Sequence, residues 1–143
     1  MNSQKWDIRF LELAKLVSSW SKDPSTKVGA VISDNKNRIV SIGYNGFPVG
    51  INDDERLYDR ETKYQIIIHG EMNAINFANR SLDNCTLYTY PFEPCSRCAS
   101  IIIQSGINRV VTYKNKSDRW EEDFKISRIL FNEANVKLDY YDQ

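Results

Sequence analysis

Apolar residues near the start of this chain recur at helical spacing. Trp6, Phe10, Leu13, Leu16, Val17 and Trp20 fall three and four apart, which predicts one face of an α-helix. Ser21-Lys22-Asp23-Pro24 ends it, because proline disfavours a helical residue before it. Two β-type runs follow, residues 28–32 and 38–44, with Asp34-Asn35-Lys36-Asn37 as turn chemistry between them; they predict an antiparallel hairpin. Asn45-Gly46-Phe47-Pro48-Val49-Gly50 is punctuated like a loop. Residues 51–65 are polar and weakly periodic, so a loop with at most one helical turn is expected there. Beyond it helices and strands alternate. Helices are predicted over 70–80 (apolar at Met72, Ile75 and Phe77), 95–104 and 121–134 (Phe124, Ile129, Leu130 and Phe131). Strands are predicted over 85–90, 109–113 and 136–140. Gly106 suits a helix C-cap. A hairpin followed by helix–strand units gives an α/β protein, a five-stranded mixed sheet with helices on both faces.

Composition narrows the class. A chain of 143 residues, 41% apolar and 27% charged, is expected to form one globular domain over 1–143. Its apolar runs, such as 66–68 and 101–103, are too short to span a membrane. The opening MNSQKWDIRF lacks the basic start and apolar run of a signal peptide, so a cytoplasmic location is expected. The 19 basic residues balance the 19 acidic ones. A polynucleotide-binding protein usually carries a basic excess, so a small-molecule substrate is favoured over nucleic acid.

The chemistry concentrates in His69-Gly70-Glu71 and Pro94-Cys95-Ser96-Arg97-Cys98. His69 is the only histidine, and Cys95 and Cys98 have metal-ligand spacing. One nitrogen and two thiolates suit tetrahedral Zn²⁺ and leave a fourth position for a water made acidic by the metal. Both motifs fall at predicted helix starts, where partial positive charge favours thiolates. Glu71, two residues from His69, is placed to move protons rather than bind the metal. The competing arrangement is a closed structural site with Cys85 as fourth ligand. Against it, Cys85 lies in a β-type run, where a buried cysteine acts as a small hydrophobe, and Glu71 would have no purpose. H-x-E with P-C-x-x-C is the signature of zinc nucleobase deaminases.

Taken with Ser21-Lys22-Asp23-Pro24-Ser25-Thr26-Lys27-Val28-Gly29-Ala30, Gly43-Tyr44-Asn45-Gly46-Phe47-Pro48 and His69-Gly70-Glu71-Met72-Asn73-Ala74-Ile75, the chain resembles the deoxycytidylate deaminases of the cytidine deaminase superfamily. The resemblance implies that superfamily's three-layer fold, a single Zn²⁺ per chain on His69, Cys95 and Cys98, and Glu71 as proton shuttle. It implies conversion of dCMP to dUMP, activation by dCTP, inhibition by dTTP, and a homo-oligomer, often a hexamer. It ties Gly43, Tyr44, Asn45 and Gly46 to regulatory nucleotide binding, with Asn45 also a candidate for the substrate sugar. For phosphate, Arg119 beside Trp120 is the first candidate for the substrate. Ser25, Lys22 and Lys27 are candidates for the substrate or for a regulatory triphosphate accompanied by Mg²⁺. Residue 70 is glycine where the family usually has alanine. With no second histidine, a second zinc is not expected. Other zinc deaminases (acting on cytidine, dCTP or tRNA adenosine) and a non-catalytic zinc or nucleotide-binding module remain the alternatives.

Overall fold

The computed structural model describes residues 3–115 and 117–143. Helix α1 (Ser3–Ser18) precedes β1 (Gly29–Ser33) and β2 (Ile39–Tyr44). A 3-10 turn (Glu55–Tyr58) and α2 (Arg60–Ile66) lead into α3 (Gly70–Ala78). Then come β3 (Thr86–Tyr90), α4 (Ser96–Gln104), β4 (Arg109–Tyr113), α5 (Glu121–Glu133) and β5 (Lys137–Tyr141). The five strands lie in the order β2-β1-β3-β4-β5. β1 is antiparallel to both β2 and β3, whereas β3–β4 and β4–β5 are parallel. The hairpin closes as expected. Asp34 Oδ1 accepts the N–H groups of Lys36 and Arg38 at 2.8 and 3.0 Å, and Asn37 takes the left-handed conformation. Parallel strands need crossovers, and α4 and α5 supply them.

Strand alternation divides the core between two faces. Val31, Tyr88 and Val111 point to α1 and pack with Phe10, Leu11 and Ala14. Their chain neighbours Ala30, Ile32, Leu87 and Val110 point the other way, to Ala74 of α3, Cys98 and Ile102 of α4 and Phe131 of α5. The central strands are therefore covered on both sides, which explains why they read as continuous apolar runs. Gly29 and Gly43 let helices lie directly on the sheet. A Cβ on Gly29 would sit 2.0 Å from Ala14 O, and one on Gly43 would sit 2.4 Å from Ala74 N and 2.6 Å from Gly70 O.

Three expectations need correction. Residues 51–65 hold a 3-10 turn and a helix rather than a loop. Asp54 caps the turn by accepting from Arg56 N–H, and Asp59 occupies the N-cap of α2. The predicted apolar face of the first helix is misplaced at one end, because Leu16 and Trp20 are exposed. The helix stops at Ser18, and its buried stripe runs through Asp7, Phe10, Leu11, Ala14, Val17 and Ser18. Asp7 belongs there because its carboxylate accepts from Tyr88 Oη, Arg109 and Tyr141 Oη at 2.6–2.9 Å, which satisfies a charge that would otherwise be costly to bury. Phe77 and Ile129 are likewise exposed. Phe77 lies on the outer side of the last turn of α3, whose Ile75 and Ala78 pack against the core. Ile129 lies two residues past buried Ser127, on the opposite side of α5. No helix among the described residues is long and apolar enough to cross a membrane.

Candidate active site

The two halves of the metal motif meet where two helices begin. His69 is the N-cap of α3 and Cys95 the N-cap of α4, both in extended conformation, with Cys98 in the first turn of α4. His69 Nδ1 lies 3.2 Å from Cys98 Sγ and 3.5 Å from Cys95 Sγ. Tetrahedral Zn²⁺ with bonds of about 2.0 Å to nitrogen and 2.3 Å to sulfur sets such atoms about 3.5 Å apart, so these residues fit the ion. Among the described residues this trio is the one group of His, Cys, Asp and Glu side chains clustered tightly enough to hold a metal. Cys85 is fully buried in the core and outside that group. Among the described residues the cluster thus offers three ligand atoms, and Cys85 does not add a fourth. Cys85→Ser is expected to keep one zinc per chain and its activity, at a stability cost of about 1–3 kcal/mol for burying a hydroxyl; metal analysis and thermal melting check this.

The electrostatics suit a cation. Donation from the Cys98 thiol holds Cys95 down to about 4, with His69 assisting and burial opposing. The same bond, together with burial, pushes Cys98 up. Metal binding would displace the thiol protons of such a pair. Hydrogen bonding to Cys95 raises His69; burial opposes this and the Glu71 charge adds to it. Glu71, in the first turn of α3 and 5% exposed, is pushed up to about 6 by burial, with His69 opposing. A carboxyl poised near neutrality can take up and release protons at working pH.

A cavity of about 470 Å³ opens onto His69, Glu71 and Cys95. Phe92, Trp120 and Phe124 give it an apolar wall that would accept a flat ring. Ser25, Asn45, Arg119 and Trp120, singled out in the sequence, all line it, and the Arg119 guanidinium lies 4.7 Å over the Trp120 ring. Asn45 is tied up more than expected. Its Oδ1 accepts from Val28 N–H at 2.8 Å, and its Nδ2 donates to Thr26 O at 2.8 Å and to Asp23 at 3.3 Å. Its main task is to hold the 23–28 segment, leaving one lone pair for a ligand.

The remaining candidates lie elsewhere. Gly43 is pressed against α3, where the chain makes room for helix backbone rather than for a ligand. Tyr44 is exposed and stacks edge-on against Trp20. Gly46 bridges to Ile68 by paired backbone hydrogen bonds and faces open space. Lys22 pairs with Asp53 at the surface, and Lys27 donates to Ser21 O. None of the five lines the cavity.

Sequence reasoning missed Lys63, Arg60 and Tyr64, which α2 delivers to the cavity wall. Lys63 is buried. Its Nζ donates to Asp23 Oδ1 at 3.0 Å and to Ser25 Oγ at 3.2 Å, joining α2 to the 23–28 segment. The available signal was a helix start at Asp59, whose carboxylate accepts from Thr62 Oγ1 at 2.9 Å.

This arrangement is that of a metal-assisted hydrolase with a small-molecule pocket. Residues 4–114 match the family described as the cytidine and deoxycytidylate deaminase zinc-binding region. An uncharacterized deaminase in the luxG 3′ region of Aliivibrio fischeri is 46% identical over 95% of this chain and 93% of its own. Human deoxycytidylate deaminase is 40% identical over 92% of this chain and 77% of its own. In fold, the dCMP deaminase of cyanophage S-TIM5, crystallised with dCMP and dUMP, superposes with a TM-score of 0.75 at 22% identity, over 99% of this chain and 98% of its own. The chain belongs to the cytidine and deoxycytidylate deaminase family, as a zinc-binding deaminase.

Proposed function

We propose that residues 1–143 act as one domain that deaminates dCMP to dUMP and ammonia. The observation that carries this is the buried Glu71 beside a His69, Cys95 and Cys98 cluster at the floor of a cavity of nucleotide size. Relatives named deoxycytidylate deaminase, at 40% identity and above, support the choice of base and sugar. A zinc ion on those three ligands would supply a water acidified to near-neutral pKa and stabilise charge on oxygen. Glu71 accepts a proton from the attacking water and protonates ring N3 as oxygen bonds to C4. It then takes the remaining proton from the new hydroxyl on C4 and passes it to the amino group; the C4=O bond forms as the C4–N bond breaks, and ammonia leaves. Phe92, Trp120 and Phe124 hold the base, and the free lone pair of Asn45 Oδ1 accepts from a sugar hydroxyl. Arg119 and Ser25 bind the 5′-phosphate. Lys63 backs Ser25 from within.

Regulation belongs to the same reading. dCTP activates and dTTP inhibits, each with Mg²⁺, at the outer surface of the 43–46 loop. There Tyr44 and Gly46 are accessible, and the exposed Lys22 and Lys27 would exchange their contacts with Asp53 and Ser21 O for phosphate. The enzyme works as a cytoplasmic homohexamer on free nucleotides, without nucleic-acid or membrane partners. The test is ammonia release from dCMP by zinc-loaded protein, alone and with Mg²⁺ plus dCTP or dTTP. Turnover that dCTP raises and dTTP lowers is expected. Turnover of cytidine or dCTP without turnover of dCMP would overturn the substrate. Indifference to both triphosphates would overturn the regulation.

A further inference from the structure

Cys95 sits in a turn that α5 holds from outside. On one side of Cys95, Glu93 is 1% exposed, and its carboxylate takes a two-pronged bond from Arg128, Nε to Oε1 and Nη2 to Oε2, both at 2.9 Å. Pro94 O accepts from Ser127 Oγ at 2.9 Å. On the other side, Ser96 donates its backbone N–H to Asp123 Oδ2 at 2.9 Å and its hydroxyl to Asp123 Oδ1 at 2.7 Å. Every residue flanking the sulfur ligand is thus held by one stripe of α5. Cys95 makes no side-chain cap bond to α4, so Asp123 does that work from a different helix. The neighbour of His69 is held by backbone instead: Ile68 exchanges paired hydrogen bonds with Gly46, while Asn73 N–H donates to His69 O at 3.0 Å, just as Ala99 N–H donates to Cys95 O at 2.9 Å.

We propose that Asp123 is a positioning residue for the metal centre, fixing the Cys95 turn so that Sγ faces His69 Nδ1 and Cys98 Sγ. Its charge-assisted bonds restrain the residue next to Cys95, and its carboxylate offsets the unpaired N–H groups at the start of α4. Asp123 also lines the cavity, and Arg119 and Trp120 immediately precede α5. One helix therefore carries both the cavity wall and the clamp on a metal ligand. Partners that orient metal ligands typically change affinity roughly ten- to hundredfold when removed.

The proposal rests on the three-ligand site and not on the identity of the substrate. It is tested by the zinc dissociation constant, from competition with a chromophoric chelator, for the wild-type chain and for Asp123→Ala, Asp123→Asn and Ser96→Ala. The Co²⁺-loaded spectra are compared in parallel. Asp123→Ala is expected to weaken zinc roughly ten- to hundredfold and to alter the thiolate-to-cobalt band. Asp123→Asn, which keeps an acceptor for the Ser96 N–H, recovers part of the loss. Ser96→Ala, which removes one bond and leaves the helix intact, gives a smaller loss in the same direction. A merely structural role would lower the stability of the loaded and unloaded protein equally. Zinc affinity within twofold of wild type in Asp123→Ala, or in Ser96→Ala should the former not fold, together with an unchanged cobalt spectrum, overturns the proposal. A wild-type chain that bound no zinc would instead overturn the metal site itself.

Discussion

Glu71→Gln is expected to slow dCMP turnover about 10⁴-fold, equivalent to about 5 kcal/mol of transition-state stabilisation, with zinc still bound at one per chain. Glutamine matches the shape of glutamate but cannot take up a proton. Proton transfer by one positioned group contributes roughly 10²–10⁴-fold, and Glu71 serves more than one transfer in the proposed sequence, which places the loss at the upper end. Zinc is retained because Glu71 is not among the clustered ligand atoms. The pH profile carries the same signature. The reacting form is the carboxylate, so wild-type kcat/KM falls as acid protonates Glu71. Burial raises Glu71 to about 6, and a bound dication opposes that rise, so the acid limb lies no higher than about 6. Steady-state rates and metal content measured on the same preparation decide the matter. A variant within tenfold of wild type would remove Glu71 from the proton path.

Cys98→Ser is expected to cost both metal and fold. Cys98 is wholly buried between α4 and the sheet and belongs to the three-residue cluster proposed to hold the metal. A serine hydroxyl at this position is a poor zinc ligand. Binding to the folded state alone adds about 1.4 kcal/mol of stability for each tenfold excess of metal over its dissociation constant, or about 4 kcal/mol at a thousandfold. For a chain of this size, losing that corresponds to a fall in Tm on the order of 10 °C. Chelation of the wild-type protein is expected to give the same fall, reversed by zinc, whereas the variant does not recover. A Cys98→Ser chain that held one zinc and melted with the wild type would remove Cys98 from the ligand set.

The two halves of the candidate site were legible in the chain because each is a local motif. C-x-x-C puts two sulfurs on one turn of a helix, and H-x-E puts a carboxylate two residues from a nitrogen at a helix start. The strands and most helices were legible for a related reason. Their burial is dictated by periods of two and 3.6 residues, which a sequence displays directly. α2 was legible at most as a helix start at Asp59, because it is short and polar; that Lys63 is buried and bonded to Asp23 and Ser25, far away in sequence, was not. Leu16 and Trp20 misled for a different reason: Leu16 lies on the side of α1 away from its buried stripe, and Trp20 lies beyond the helix end at Ser18.

The sequence by itself determined the order of elements, the H-x-E and C-x-x-C motifs and the neutral charge that favours a small substrate. Only the tertiary structure decided that His69, Cys95 and Cys98 cluster, that Cys85 lies apart from them and that Gly43 serves helix packing. It alone decided that Asn45 braces a loop, and that Lys63 and Asp123 stand behind the groups that face the cavity. The physical reason is common to all of these. Each depends on a distance between segments remote in sequence, and such distances are set when the sheet brings α2, α3, α4 and α5 to one end of its strands.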